Sequence, residues 1–343
     1  MGESMNKSLG EVFRSAWNTT KNNFVPLLVG ILIYMAPAMV LSIVSTAVLP
    51  SEMMGMESLG GVMVGLELCL LLYMVFISPL YMGYITSVLR TWHLTGTPAK
   101  MSTAWAAAKA NYGRYMTTLL ATVVISFAAV LIIAFVSSIA VIGSVISSAG
   151  SFYGSSMDSL MFMEAMVPAL IVMVALILFY SFCLSFVNFI PGMEVPSGFQ
   201  AVFKSFRYIF RGNFWKNFGH TLIIGLITVG IELVVILPFY MPYISAALSP
   251  GATPSDIAYA STALTAVMPL YILLSTILGI FLQTFTTPYM FEVYLNAKGV
   301  SDGKDSQQMQ RTYGDPYANF TQNNNYTQPP YSGGQDPPQI PPR

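Results

Sequence analysis

Six apolar runs recur along the chain, and each is long enough to cross a lipid bilayer. They cover residues 25–49, 62–88, 117–146, 166–190, 217–244 and 265–291. A hydrocarbon core about 30 Å thick requires about 20 apolar residues in a helix, and the backbone polar groups inside it must be paired within the protein. The runs therefore predict an all-α membrane bundle of six transmembrane helices.

The composition supports this prediction. Charged residues make up 9% of the chain, whereas a typical soluble domain contains about 25%. So few charges cannot cover a water-facing surface, and much of the surface is expected to face lipid. Lys plus Arg equals Asp plus Glu, at 15 each, so the charge balance favours no nucleic-acid partner.

The basic residues occupy only alternate connections between the six runs. All 15 Lys and Arg lie before the first run, between the second and third, between the fourth and fifth, or after the sixth. The other three connections carry acidic residues instead. Because Lys and Arg are enriched in cytoplasmic loops, this distribution predicts a multi-pass cell-membrane protein with both termini in the cytoplasm.

A short motif recurs before the first, third and fifth runs. It reads basic residue, spacer, asparagine, aromatic, and its copies are 21–24, 109–112 and 211–214. The first two copies also share an Ala-Trp pair, and 76–79 resembles 285–288, each of which ends in proline. Similarity of this kind predicts three tandem units in parallel orientation, each an amphipathic helix followed by two transmembrane helices. The shared asparagine is expected to cap the transmembrane helix.

In these amphipathic segments, aromatic residues at helical spacing form a stripe that basic residues flank. This pattern is typical of helices that lie among lipid headgroups. Capping boxes at Ser8/Glu11 and Ser197/Gln200, and the pair Thr97-Pro98, predict where the three helices begin. The alternative is that the helices only anchor the protein. The candidate contacts with lipid headgroups or a protein partner are Arg14, Trp17, Lys21, Trp105, Lys109, Arg114, Lys204, Arg207 and Arg211.

Two acids fall inside the apolar runs, Glu67 in the second and Glu232 in the fifth. An acid within a bilayer costs about 2.5–3.5 kcal/mol on insertion scales, so both are candidate functional residues. The alternative is that each reaches the membrane interface or bonds to a neighbouring helix. No catalytic constellation, metal-ligand spacing or nucleotide-binding motif is visible, so we expect neither an enzyme nor a cofactor.

The motif 13–17 followed by 21–24, placed before a first transmembrane run, resembles a broad group of prokaryotic six-helix membrane proteins. That group includes the membrane domain of glycerophosphoryl diester phosphodiesterase. The phosphodiesterase name implies a soluble barrel that carries the catalytic residues, whereas here only a polar segment follows the sixth run. The resemblance therefore implies a membrane domain without implying catalysis.

These patterns predict an amphipathic helix at 1–24, a membrane domain at 25–299 and a disordered cytoplasmic tail at 300–343, rich in Gln, Asn, Pro and Gly. The leading functional hypothesis is a non-enzymatic membrane scaffold or accessory protein. Its basic cytoplasmic face would engage membrane lipids or a protein partner. The alternative is a transporter or channel for a small solute that uses Glu232.

Overall fold

The computed structural model describes residues 7–52, 57–149, 159–249 and 253–313, and in these ranges the chain forms helices and no strand. The all-α class is therefore confirmed. The chain divides into two compact units, 1–301 and 302–343. The helices are α1 Leu9–Asn22, α2 Phe24–Glu52, α3 Glu57–Thr95, α4 Met101–Ala110, α5 Tyr112–Ala149, α6 Ser159–Leu184, α7 Ile190–Met193, α8 Phe199–Arg211, α9 Phe214–Leu248 and α10 Pro254–Tyr313.

Five segments are long and apolar enough to cross a membrane. They are Phe24–Leu41, Val64–Thr95, Tyr112–Ile139, Phe214–Ala246 and Ala258–Gly303, and they match every predicted run except the fourth. The fourth run lies in α6, where the described apolar segment is the shorter Leu170–Leu184. This helix ends at Leu184 rather than at residue 190, because the chain turns from Ser185 onward.

A short helix precedes α2, α5 and α9, as the repeated motif predicts. Asn23, Asn111 and Asn213 each stand immediately before the long helix. The expected capping role is wrong in detail, because the Asn23 and Asn111 side chains donate backward, to the carbonyls of Thr19 (3.1 Å) and Ala107 (2.9 Å). Each of these carbonyls also accepts the backbone N–H of the same asparagine, so the side chain adds a second bond to the last turn of the short helix. Asn213 adopts φ 68°, and its backbone carbonyl rather than its side chain accepts the first bonds of α9.

Of the three predicted helix starts, one is confirmed. The Ser8 and Glu11 side chains form the expected capping box of α1. The box at Ser197/Gln200 is wrong, because α8 is preceded by Gly198, whose φ of 62° suits glycine and whose N–H donates to Thr118 Oγ1 at 2.9 Å.

The third helix start is displaced along the chain. Although Thr97-Pro98 predicts where the helix opens, α4 begins at Met101. The Ala99 N–H donates to Asn23 Oδ1 at 3.1 Å. This bond holds the segment before α4 against Asn23, which stands between α1 and α2. A tertiary hydrogen bond therefore overrides the local start pattern.

Buried side chains are concentrated at one end of the long helices. Apart from Pro79 and Ala260, they all lie within 12–31, 81–121, 182–224 and 280–301, and we call these ranges the packed end. Its largest fully buried side chains are aromatic, including Tyr84, Phe186, Tyr289 and Tyr294. Each range adjoins a basic connection, so the core forms where the basic residues lie.

The described residues of 32–80, 122–181 and 225–279 are termed the open halves. They expose large apolar side chains, among them Phe127, Phe135 and Val234. Such a surface is suited to lipid rather than to water. α10 continues past the predicted tail boundary at residue 300 to Tyr313, and residues 314–343 lie outside the described residues.

Candidate functional site

A short connection between α6 and α8, residues 185–198, folds into the packed end, and we call it the elbow. Two bonds fix it to α3: Thr86 donates to the Asn188 carbonyl at 3.3 Å, and Arg90 donates to the Gly192 carbonyl at 3.0 Å. A Cβ at Gly192 would lie 2.6 Å from Thr86 Cγ2 and would collide with the Tyr115 hydroxyl. Only glycine permits this close approach.

The elbow carries a carboxylate surrounded by donors. Glu194 follows α7, and its side chain is only 8% exposed. It accepts hydrogen bonds from Lys204 Nζ at 2.6 Å, Tyr208 Oη at 2.8 Å and Tyr294 Oη at 2.7 Å. Lys298 Nζ lies 3.7 Å from the same carboxylate. These five residues form the Glu194 cluster, which links the elbow to α8 and α10.

The electrostatics of the cluster favour an ionised carboxylate. Burial raises the pKa of Glu194, but hydrogen bonds from Lys204, Tyr294 and Tyr208, and the charge of Lys298, lower it by more. The net result is a pKa below the ordinary value of glutamate. Two lysines face one carboxylate, and Arg114 donates to the Glu194 carbonyl oxygen, so the local charge is positive. This geometry is suited to holding the elbow in place.

Two other groups of polar contacts involve residues of the packed end. Lys7 Nζ donates to Glu292 at 3.3 Å, and the Lys7 N–H donates to Asn296 Oδ1 at 3.0 Å, so the start of the described chain is tied to α10. His220 Nδ1 lies 2.8 Å from the Tyr289 hydroxyl, between α9 and α10. These contacts tie α10 to α9 and to the segment before α1.

The predicted contact residues divide into two groups. Arg114 and Lys204 are half-buried and meet at Glu194, where they bond to the elbow. Trp105 is also half-buried, with its ring 4.6 Å from that of Tyr84. The remaining members of the set are exposed: Arg14, Trp17, Lys21, Lys109, Arg207 and Arg211.

The α1 helix presents three strips along its length. One strip is buried, a second carries exposed aromatics, and a third carries basic residues. At 3.6 residues per turn, these strips follow one another around the helix in that order. Trp17, in the aromatic strip, is 56% exposed. The buried strip consists of Val12, Ala16, Thr19 and Thr20, the aromatic strip of Phe13 and Trp17, and the basic strip of Arg14 and Lys21.

The α8 helix repeats this arrangement in the same rotational order. Its aromatic strip is exposed, and the tryptophan that follows the helix, Trp215, is 79% exposed. Lys204 stands at the border between the basic strip and the buried strip, which is why it reaches Glu194. The buried strip consists of Ala201, Val202, Ser205, Tyr208 and Ile209, the aromatic strip of Phe199, Phe203 and Phe210, and the basic strip of Lys204, Arg207 and Arg211.

The two intramembrane acids lie elsewhere. Glu67 on α3 and Glu232 on α9 are exposed and belong to the open halves. The structure does not bring either of them to the Glu194 cluster. Among the described residues, no group of three or more His, Cys, Asp or Glu side chains is placed to hold a metal ion.

Sequence reasoning missed Glu194 and its partners Tyr208, Tyr294 and Lys298. One sequence feature could have revealed the carboxylate. Glu194 is the only acid in the basic connection 191–216, and prolines and glycines surround it at 191–192 and 196–198. An unmatched acid among basic residues indicates an ion pair. Its tyrosine partners carry no such pattern.

Comparison of the chain with protein families, curated proteins and solved structures gave no match. The resemblance to six-helix membrane proteins therefore rests on the repeated motif alone and stays a prediction.

Proposed function

We propose that this chain is a non-enzymatic membrane protein whose basic and aromatic surface, formed by α1 and α8, engages anionic lipid headgroups. In this proposal it crosses the cell membrane six times as three tandem units, with both termini in the cytoplasm. A protein partner at the same surface is the competing occupant. The one observation that carries the proposal is the shared order of buried, aromatic and basic strips on α1 and α8.

The strips match what a bilayer surface offers. An exposed aromatic strip beside a basic strip is unfavourable in water, but it suits the layer between headgroups and acyl chains, where tryptophan is enriched. Each Lys or Arg near an anionic surface contributes about 1 kcal/mol to binding. The exposed tryptophans Trp17, on α1, and Trp215, just after α8, are suited to this layer.

The topology in the proposal has separate support. Arg90, Arg114 and Lys204 come from two connections predicted to be cytoplasmic, and all three bond to the elbow. Residues that meet in this way must lie on one side of a membrane. The 26 residues of α6 extend about 39 Å at 1.5 Å per residue, which is long enough for a sixth crossing.

The transport alternative required Glu232 to face a polar path inside the bundle. Glu232 is exposed on α9, so its position does not favour that alternative.

Lipid selectivity tests the proposal. The full chain, in mild detergent, would be offered equal amounts of phosphatidylglycerol and phosphatidylcholine, and the bound lipids would be counted by native mass spectrometry. We expect a preference for phosphatidylglycerol that falls by up to about 30-fold in Arg14→Gln/Lys21→Gln, since the two lost charges together remove about 2 kcal/mol of attraction.

The matched control is Lys100→Gln/Lys109→Gln, which removes two exposed charges beside α4. Trp105 of that helix is packed against Tyr84. The control should lose less selectivity than the α1 variant. Equal binding of the two lipids by the unaltered chain would refute the proposal, as would equal losses in the two variants.

A further inference from the structure

An open groove lies between α2 and α3, on the open halves of these two helices. Its volume is about 520 Å³, and it is lined by residues within 36–41 of α2 and within 66–73 of α3. Along α3 these positions extend about 10 Å at 1.5 Å per residue. In the described part of the chain, no charged side chain lines the groove, and only the side chains of Cys69 and Tyr73 bring polar atoms to it.

A proline in α2 engages one of these two polar side chains. Pro37 has no N–H, so the carbonyl of Ile33, four residues earlier, lacks its helical partner. The Tyr73 hydroxyl donates to that carbonyl at 2.5 Å. The tyrosine therefore satisfies the backbone of α2 and offers its ring as an apolar wall. Such a groove is suited to a hydrocarbon chain.

The carboxylate of Glu67 stands beside this groove. Glu67 is three residues before Leu70, which lines the groove, and residues three apart are neighbours on a helix surface. It is also three residues inside the apolar span that begins at Val64, about 4.5 Å from the end that lies away from the packed end. Its side chain is exposed and makes no ion pair or hydrogen bond with the described residues.

The chain itself offers no cation to this carboxylate. The ranges 22–89, 115–203 and 221–297 contain no Lys, Arg or His, and together they include the whole of the open halves. An acid inside a membrane span is costly unless it finds a partner. The counter-charge for Glu67 must therefore come from a molecule outside the chain.

We propose that the groove and Glu67 together bind a membrane lipid with a primary-amine headgroup, the class of phosphatidylethanolamine. The ammonium group donates to the Glu67 carboxylate, and one acyl chain lies in the groove. A primary ammonium has three N–H donors. The quaternary amine of phosphatidylcholine has none, and the phosphatidylglycerol headgroup carries no cation. This site goes beyond the anionic-lipid surface of α1 and α8 and uses none of its residues.

Photocrosslinking tests the site in the full chain, in nanodiscs of phosphatidylcholine. Traces of phosphatidylethanolamine or phosphatidylcholine, each with the same diazirine-bearing acyl chain, would be added and irradiated, and the adducts would be mapped by mass spectrometry. We expect about tenfold more adducts within 36–41 and 66–73 from phosphatidylethanolamine, the factor that corresponds to one hydrogen bond to a charged group.

Glu67→Gln should remove most of this difference, because it removes the charge and keeps the side-chain shape. Glu232→Gln is the matched control, since it makes the same change at an exposed acid of α9 that does not adjoin the groove. It should leave the preference unchanged. Equal adducts from the two lipids, or a preference that survives Glu67→Gln, would overturn the proposal.

Filling the groove provides a second variant. Ala36 lines the groove, so Ala36→Leu should reduce the phosphatidylethanolamine adducts several-fold, whereas Ala128→Leu, at an exposed position of α5, should not. Equal adducts in these two variants would also overturn the proposal. Arg14→Gln/Lys21→Gln should retain the preference for phosphatidylethanolamine, so failure of this site and failure of the anionic-lipid surface are distinguishable.

Discussion

The packed end and the open halves belong to the same long helices, yet they satisfy their side chains in different ways. At the packed end, charged and polar groups bond to one another, as Glu194 does with Lys204 and two tyrosines. In the open halves, Glu232 and Glu67 are exposed among large apolar side chains. The difference teaches that tertiary contacts define the fold at one end, whereas the rest of each helix is suited to lipid as its solvent.

The largest expected effect comes from removing the buried carboxylate charge. Glu194→Gln keeps the side-chain shape but leaves Lys204 and Lys298 uncompensated, and breaking a buried ion pair costs about 3–5 kcal/mol. We expect a loss of that order in the free energy of unfolding, measured by denaturant titration in mixed micelles.

Glu232→Gln is the matched control, because it makes the same chemical change in the open halves. It should alter the free energy of unfolding by less than about 0.5 kcal/mol, as is usual for exposed positions. Similar losses for the two variants would remove the contrast between the two regions.

The pH dependence sharpens the same test. The pKa of Glu194 is lowered in the folded chain, so its ionised form stabilises the fold. This contribution is complete above the ordinary glutamate value of 4.5 and is lost as the pH falls through the lowered pKa. The stability difference between the unaltered chain and Glu194→Gln should therefore shrink below pH 4.5. A constant difference would show that the charge is not responsible.

A smaller effect should follow from adding one methyl group in each region. At Gly212 a Cβ would lie 2.8 Å from Ala297 Cα and 2.6 Å from its carbonyl oxygen, so Gly212→Ala forces the backbone of α10 to move. Overpacking of this kind costs about 1–3 kcal/mol.

Gly225→Ala is the control on α9, where the added Cβ would meet no atom within 4 Å beyond the nearby backbone of its own helix. Alanine favours helix over glycine by up to about 1 kcal/mol, so this variant should be neutral or more stable. The same unfolding titration compares the two, and a loss at Gly225 equal to that at Gly212 would contradict the packing difference.

The sequence predicted the helices better than it predicted their contacts. Runs of apolar residues require helices in a membrane, so five of the six predicted runs correspond to long apolar helices. The junction asparagines were found because the motif repeats. The direction of their side chains was not predicted. Asn23 and Asn111 each stand between the end of a short helix and the start of a long one, and the sequence does not show which of the two their side chains bond to.

The Glu194 cluster illustrates what local patterns cannot supply. Lys298 and Tyr294 are far from Glu194 in sequence, and no periodicity relates them. The cluster forms only when the elbow, α8 and α10 meet. The helix starts at Thr97 and Ser197 failed for a related reason, since bonds to Asn23 and Thr118 decide where those turns lie.

Topology in intact cells tests the central claim most directly. Single cysteines at positions 55, 155 and 255, and at Thr97 and position 320, would be introduced into the Cys69→Ser/Cys183→Ser background and treated with an impermeant maleimide. The account predicts labelling of the first three in whole cells and of Thr97→Cys and position 320 only after lysis. Labelling of Thr97→Cys in intact cells, with 55, 155 and 255 protected, would contradict it.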